Sequence, residues 1–296
     1  MSNSITTTPK GIATALVAFL IWGNFPLYFK LLDGYHAVEI IVHRVVWTFF
    51  VLLFVIALGR RNDWLIKIKQ NPKWLALTFL AALLIGTNWL IYVWAVNNDK
   101  LLEASLGYFI APLLGIVVSL IVFKERLRVL QKIAVALAAL AVLIQLVWLG
   151  GLPWVSLILA ASFVFYGMIQ RKTPFNALDG LFIETALLTP ICIIWLMQAN
   201  VASSHFSFWL SSHVWLLALA GPITLIPLLL YNKSTKMVSF NTLSFMNYIT
   251  PSLVFLLAVF YYHEVFDTQK MTVFIFIWAG LLVFSIDMIK NRKQLN

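Results

Sequence analysis

Three ionisable residues, Glu39, His43 and Arg44, stand inside the otherwise apolar run 37–58. A charged group in hydrocarbon is costly unless it is paired or wet, so by default it marks a pathway. Arg44 lies about 10 Å from the nearer end of a helix through this run, too deep for easy snorkelling. Two roles suit it. It is a structural guanidinium held by a carboxylate or by backbone carbonyls, or it is a cation that receives an anionic or zwitterionic group. Glu39 and His43 are four apart and share a helix face. They make a proton site or a satisfied pair near the interface. Glu184, deep in the run 177–198, is the acidic residue of the second half placed farthest from a run end. A lone buried carboxylate suits a proton carrier. Lys30 ends the first run, where its stem can snorkel. Glu103 opens the fourth, where a carboxylate complements the helix dipole. Glu184, Glu39, His43, Lys30 and Glu103 are the candidate coupling or gating residues.

Asn88, Trp89 and Tyr92 cluster in the third run and Tyr108 lies in the fourth, while Tyr166, Asn247 and Tyr248 occupy the sixth and ninth. With Arg44 they are the candidate substrate-binding residues, because apolar bodies with polar tips line small-molecule sites. The same groups also serve as interhelical hydrogen bonds. Gly107, Ala111 and Gly115 form a small-residue stripe that permits close helix approach. Pro112 and Pro251 interrupt the backbone ladder as hinges or simple kinks. Catalytic patterns are missing. No glycine-rich Lys-Ser/Thr loop for a nucleotide is present, His263-Glu264 lacks a second His, and Cys192 stands alone. No cofactor and no metal site is expected.

The elements that position these groups follow from composition. Of 296 residues, 62% are hydrophobic and 11% charged, and the mean hydropathy is +0.93. That excludes an ordinary soluble domain, a disordered chain and a disulfide scaffold. The apolar runs are long and unbroken, unlike the alternating segments of a β-barrel. Ten runs can cross a membrane as helices: 11–31, 37–58, 73–96, 101–123, 129–149, 153–172, 177–198, 213–231, 239–261 and 269–288. The connections are short, and the longest are 59–72 and 199–212. The first run lacks a convincing small-residue cleavage site and reads as a retained helix. Ten spans place both termini on one side. Seventeen Lys and Arg then fall on that side, against Lys100 and Lys270 on the other. Both termini are therefore expected in the cytoplasm. The net charge of +10 reflects this bias and not a nucleic-acid surface, which such short loops cannot assemble. The expected partners are membrane lipid and a small-molecule substrate, and a monomer and a homodimer are both open.

The two halves resemble each other weakly. At a shift of 139, Tyr92, Ser105, Ile110, Pro112 and Glu125 fall on Tyr231, Ser244, Ile249, Pro251 and Glu264. Phe19, Trp22 and Gly23 match Phe163, Tyr166 and Gly167. Each half holds five spans, so the second enters the membrane from the opposite side. The expectation is an all-α integral membrane fold of two inverted five-helix repeats, 1–151 and 152–296, with a site near the midplane between them.

The run Glu103-Ala104-Ser105-Leu106-Gly107-Tyr108-Phe109-Ile110, with Asn88-Trp89-Leu90, Trp94-Ala95-Val96-Asn97-Asn98 and His43-Arg44, resembles the RarD branch of the EamA-type transporters, in the drug/metabolite transporter superfamily. Tyr166-Gly167, Ile183-Glu184-Thr185 and the spacing of Tyr248 before Pro251 agree. The resemblance covers nearly the whole chain. It implies a ten-helix permease of the bacterial inner membrane, in a branch labelled chloramphenicol-sensitive. The family pattern has Asn before the fourth-helix proline, where this chain has Ala111. The functional expectation is a secondary transporter of small metabolites or amphipathic drugs, chloramphenicol-like compounds among them, with proton coupling through Glu184 or the Glu39–His43 pair. Two other classes remain. An intramembrane lipid-modifying enzyme would need a nucleophile or metal cluster at one depth. A sensor or channel would tend to line one continuous polar path.

Overall fold

The computed structural model describes residues 7–32, 34–59, 63–97, 101–149, 154–210, 214–261 and 268–291. Lys100 and Glu264 lie outside them, and so do the side chains of Glu103, Ser105 and Lys270. Within the described residues the chain is helical, with α1 Pro9–Gly23, α2 Phe25–Phe29, α3 Ala37–Gly59, α4 Asp63–Gln70, α5 Lys73–Asn97, α6 Leu101–Ile121, α7 Val129–Leu149, α8 Trp154–Lys172, α9 Ala177–Gln198, α10 Phe206–Trp209, α11 Val214–Ser234, α12 Phe240–Met246, α13 Ile249–Leu256 and α14 Thr268–Lys290. Among the described residues, nine spans are long and apolar enough to cross a membrane, and Gly107–Ile121 of α6 is a shorter apolar stretch.

Local chemistry explains the boundaries. Thr8 caps α1 by accepting from the Gly11 N–H (3.1 Å), and Pro9 starts the helix where no N–H is needed. Asn176 caps α9 by accepting from Leu178 and Asp179. The first and ninth runs, expected as single helices, are each broken. In the first, Pro26 lies in the opening turn of α2 and the break falls at Asn24. In the ninth, Asn247–Tyr248 separates α12 from α13, four residues before Pro251, where the proline ring collides with the i−4 carbonyl. Pro112, by contrast, sits inside a continuous α6. The two longest connections carry the short helices α4 and α10.

The main helix contacts cross between the halves of the chain. α3 packs on α9 and α11, α5 on α8 and α9, and α6 on α8 and α12. α1 packs on α11, α12 and α13, and α7 on α14. The small-residue stripe of α6 serves two of these seams. A Cβ at Gly107 would lie 3.1 Å from the Ser156 carbonyl of α8, and one at Gly115 would collide with Ser244 of α12. Large side chains such as Leu58, Val147, Met197 and Ile289 point outward, as lipid-facing surfaces do.

One end of the bundle, here the basal end, is tied by polar contacts between distant segments. The Thr8 N–H donates to Met237 O (3.0 Å), and the Ser239 N–H donates to Thr7 Oγ1 (2.9 Å). Lys67 donates to Pro174 O (3.1 Å), and Lys236 donates to Thr173 O (2.8 Å) and to Phe175 O. Arg128, just before α7, pairs with Asp287 near the end of α14. α1, α5, α7, α9 and α12 begin here, and α3, α6, α8, α11 and α14 finish here.

Candidate functional site

α3 delivers Arg44 into a box of aromatic rings. Its guanidinium lies 4.5 Å above the Trp89 ring of α5 and 5.5 Å from the Phe29 ring of α2. Nε donates to Thr224 Oγ1 of α11 at 2.8 Å. The hydroxyls of Tyr28, Tyr92 and Tyr108 are its electrostatic neighbours. Among the described residues no carboxylate pairs with it. Cation–π stacking suits a guanidinium but leaves its full charge in place. Tyr92 and Tyr108 meet edge to face at 6.0 Å. Tyr108 remains 39% exposed. Tyr28 is anchored by donating to Leu216 O (2.6 Å).

Glu184 occupies a second polar cluster. It is buried, and Gln170 Nε2 of α8 donates to its Oε1. The Tyr166 hydroxyl faces the same carboxylate and accepts from Asn232 Nδ2 of α11 (2.8 Å). Oε2 has no hydrogen-bond partner among the described residues. Glu184 and Tyr166 line a closed cavity of about 10 Å³ together with Thr48, Thr185 and Trp89. Trp89 therefore borders both clusters, with the guanidinium over its ring and the carboxylate chamber beside it. Arg44 and Glu184 are not paired with each other.

The other sequence candidates take separate places. Glu39 and His43 are both buried on α3 but turn to different partners. The Ser203 N–H donates to Glu39 Oε1 (2.7 Å), so the carboxylate holds the segment after α9. His43 Nδ1 accepts from Trp47 Nε1 (3.2 Å), which puts the ring proton on Nε2, a buried atom without a partner among the described residues. Asn88 donates to Leu159 O (2.9 Å) and Ser162 Oγ (3.0 Å), joining α5 to α8. Tyr248 is fully buried and donates to Phe109 O (3.0 Å). Asn247 lies at the break after α12. Lys30 is exposed at the end of the first span. Glu103 falls in the first turn of α6, its side chain outside the described residues.

Residues that sequence reasoning passed over complete both clusters. Tyr28, Phe29 and Thr224 complete the first, and Gln170 and Asn232 the second. A tyrosine at the end of the first span was a usable signal. Thr224 was not, because its partner lies 180 residues away.

Comparison with known proteins agrees with this architecture. The model of the EamA-like transporter family matches residues 9–147. An uncharacterized transporter of Pseudomonas aeruginosa is 44% identical over 97% of this chain and 96% of its own length. Protein RarD of Escherichia coli K12 is 42% identical over 97% of each chain. The chain belongs to the RarD branch of the EamA-like transporters. The chloramphenicol-sensitive protein RarD of Pseudomonas aeruginosa is 30% identical over 96% of this chain and 97% of its own. A solved structure described only as a crystal structure of protein aligns with a TM-score of 0.65 at 19% identity, over 93% of this chain and 96% of that one, and supports the fold alone. As a member of the RarD branch, the protein is a multi-pass transporter of the bacterial inner membrane, in contact with lipid.

Proposed function

We propose that this protein is a secondary transporter of small amphipathic or zwitterionic metabolites, and that drugs of the chloramphenicol kind are passengers. The observation that carries the reading is the Arg44 guanidinium, buried among Trp89, Phe29 and three tyrosines with no acid to neutralise it among the described residues. A buried unpaired charge is costly, and an anionic substrate group arriving in the box offsets that cost. The aromatic walls supply apolar contact for the rest of the molecule. Glu184 is the coupling group. Its Oε2, without a hydrogen-bond partner among the described residues, suits a carboxyl that gains and loses a proton during the cycle, and Trp89 is the wall through which the occupancy of one cluster is felt in the other.

The framework of this reading is ten spans in two inverted repeats, 1–151 and 152–296, with the basal end and both termini in the cytoplasm. Its support is the helix pairing. Contacts α3–α11 and α5–α9, and likewise α5–α8 and α1–α11, exchange when the halves exchange, and α3–α9, α6–α12 and α7–α14 map onto themselves. α1 begins at the basal end where α8 finishes. The bias of basic residues supports a cytoplasmic basal end.

Counterflow in proteoliposomes with a panel of carboxylates, zwitterions and neutral drugs tests the substrate reading. Exchange of at least one charged compound, lost in Arg44→Ala, is expected; equal exchange by that variant refutes the role of Arg44. Reporter fusions at Asn296 and within 199–212 should fall on opposite sides of the membrane.

A further inference from the structure

A buried charged cluster at the basal end has no part in the transport reading. α6 ends at Ile121, and Lys124 adopts left-handed backbone (φ 55°), a conformation that costs a non-glycine residue energy and persists only where its surroundings hold it. The turn sends Glu125 back under the bundle. Its Oε1 accepts from the Phe240 N–H (2.7 Å) and its Oε2 from the Asn241 N–H (2.9 Å), the opening residues of α12. Arg171, in the last turn of α8, pairs with Oε1 at 2.9 Å. The same guanidinium lies 4.4 Å from the Phe123 ring and 5.8 Å from the Phe240 ring, and donates to Val238 O (3.3 Å). Both side chains are 4% exposed. One acid and one arginine thus join α6, α8 and α12 across the two halves of the chain.

What they hold is a short lever. α12 has seven residues. At its far end the chain breaks at Asn247–Tyr248, and at its near end its first two N–H groups are taken by Glu125. Two fixed ends, one of them a break in the helix, describe a segment that swings when the other end is released. The adjoining residue of α8, Gln170, holds Glu184, so the same helical turn touches the coupling carboxylate and the basal cluster.

We propose that Glu125 and Arg171 are the latch of the cytoplasmic gate: they hold α12 across the basal end while the Arg44 box is reached from the other side, and they separate when the protein opens inward. The inference rests on the reading of the basal end as cytoplasmic and of the chain as an alternating-access transporter. Its test reads gate opening and needs no substrate.

In a Cys192→Ala background, Thr242→Cys places a thiol on the buried face of α12. The rate of labelling by a membrane-impermeant maleimide, applied from the cytoplasmic side of inverted vesicles, reports opening. Glu125→Gln and Arg171→Gln should each raise that rate about tenfold by populating the open state. The double variant should label no faster than the quicker single one, because both act on one latch. Arg171→Lys keeps the charge but loses the planar stacking, and should fall between. Unchanged labelling in variants that elute as monodisperse protein overturns the latch and leaves a static helix cap. If Glu125→Gln does not yield folded protein, Arg171→Lys decides by the same criterion. Counterflow that fails in the parent while the labelling pattern holds rejects the substrate reading and leaves the latch standing.

Discussion

Among the described residues two arginine side chains are buried, Arg44 and Arg171, and their surroundings differ in one respect. Both stack on aromatic rings, Arg44 on Trp89 and Phe29 and Arg171 on Phe123 and Phe240. Arg171 also meets a carboxylate, which in turn accepts two backbone N–H groups. Arg44 meets a threonine hydroxyl and the neighbourhood of three phenols. Two of the buried acids, Glu125 and Glu184, divide the same way, since both oxygens of Glu125 are used and Glu184 Oε2 has no hydrogen-bond partner among the described residues. A complete set of partners belongs to a device that holds, and an incomplete set to one that waits for an occupant. The contrast separates the basal cluster from the proposed transport site more sharply than residue type does.

The largest expected effect of breaking that contrast is at Arg44. Arg44→Ala should lower counterflow by about a hundredfold, which corresponds to about 2.7 kcal/mol of lost interaction with substrate, while the unfolding midpoint in detergent hardly moves. Arg171→Ala should do the reverse to stability. It strands Glu125 and should cost about 3–5 kcal/mol, read as a lowered denaturation midpoint. If Arg44→Ala destabilises as much as Arg171→Ala, the two sites are of one kind and the comparison fails.

The next effect sharpens the pairing of acids. Glu184→Gln mimics the protonated side chain at nearly the same volume. It should abolish accumulation driven by a pH gradient and spare exchange of substrate for substrate. Full gradient-driven transport by this variant removes Glu184 as the coupling group and turns attention to His43, whose Nε2 is also unpartnered among the described residues. Smaller still is Asn88→Ala. It removes two interhelical hydrogen bonds and should cost about 1 kcal/mol of stability with counterflow nearly intact. A larger loss of transport than of stability would return Asn88 to the substrate site.

The smallest effect lies outside the spans. Burial, with Lys67 close by, pushes the Lys236 ammonium down to about 8. The unfolded chain keeps its proton up to about 10.4, so between these values the unfolded state binds more protons and stability rises with pH. The gain should be about 1 kcal/mol or less, given partial solvent screening, seen as an unfolding midpoint that climbs between pH 8 and 10 and does so less in Lys236→Met.

The positions of nine spans among the described residues, the burial of Arg44 and Glu184, and the close approach at Gly107 and Gly115 were legible in the sequence because each depends on local pattern: run length, distance from a run end, and residue size on one helix face. What escaped is partnership. Glu125 stood out as the repeat counterpart of Glu264, yet its part in holding α12 depends on residues 115 and 116 positions away. Gln170 and Asn232 read as ordinary polar residues near helix ends until the packing of α8, α9 and α11 brings them to Glu184 and Tyr166. The break at Asn247 had a signal in Pro251, whereas Pro112 carries the same signal and leaves α6 continuous, so proline alone does not locate a break.

The long reach of these contacts bears on how the protein is made. Helices enter the membrane in order as the chain is synthesised. Arg44 and Glu125 are inserted with the first half, but Thr224, Arg171, Phe240 and Asn241, which satisfy them, arrive only with the second. During that interval a guanidinium and a carboxylate sit in or beside lipid without their native partners. The first half alone is therefore an incomplete assembly intermediate. When the protein is split between residues 149 and 154, the first piece should be degraded if expressed alone and rescued when the second piece is supplied in the same cell.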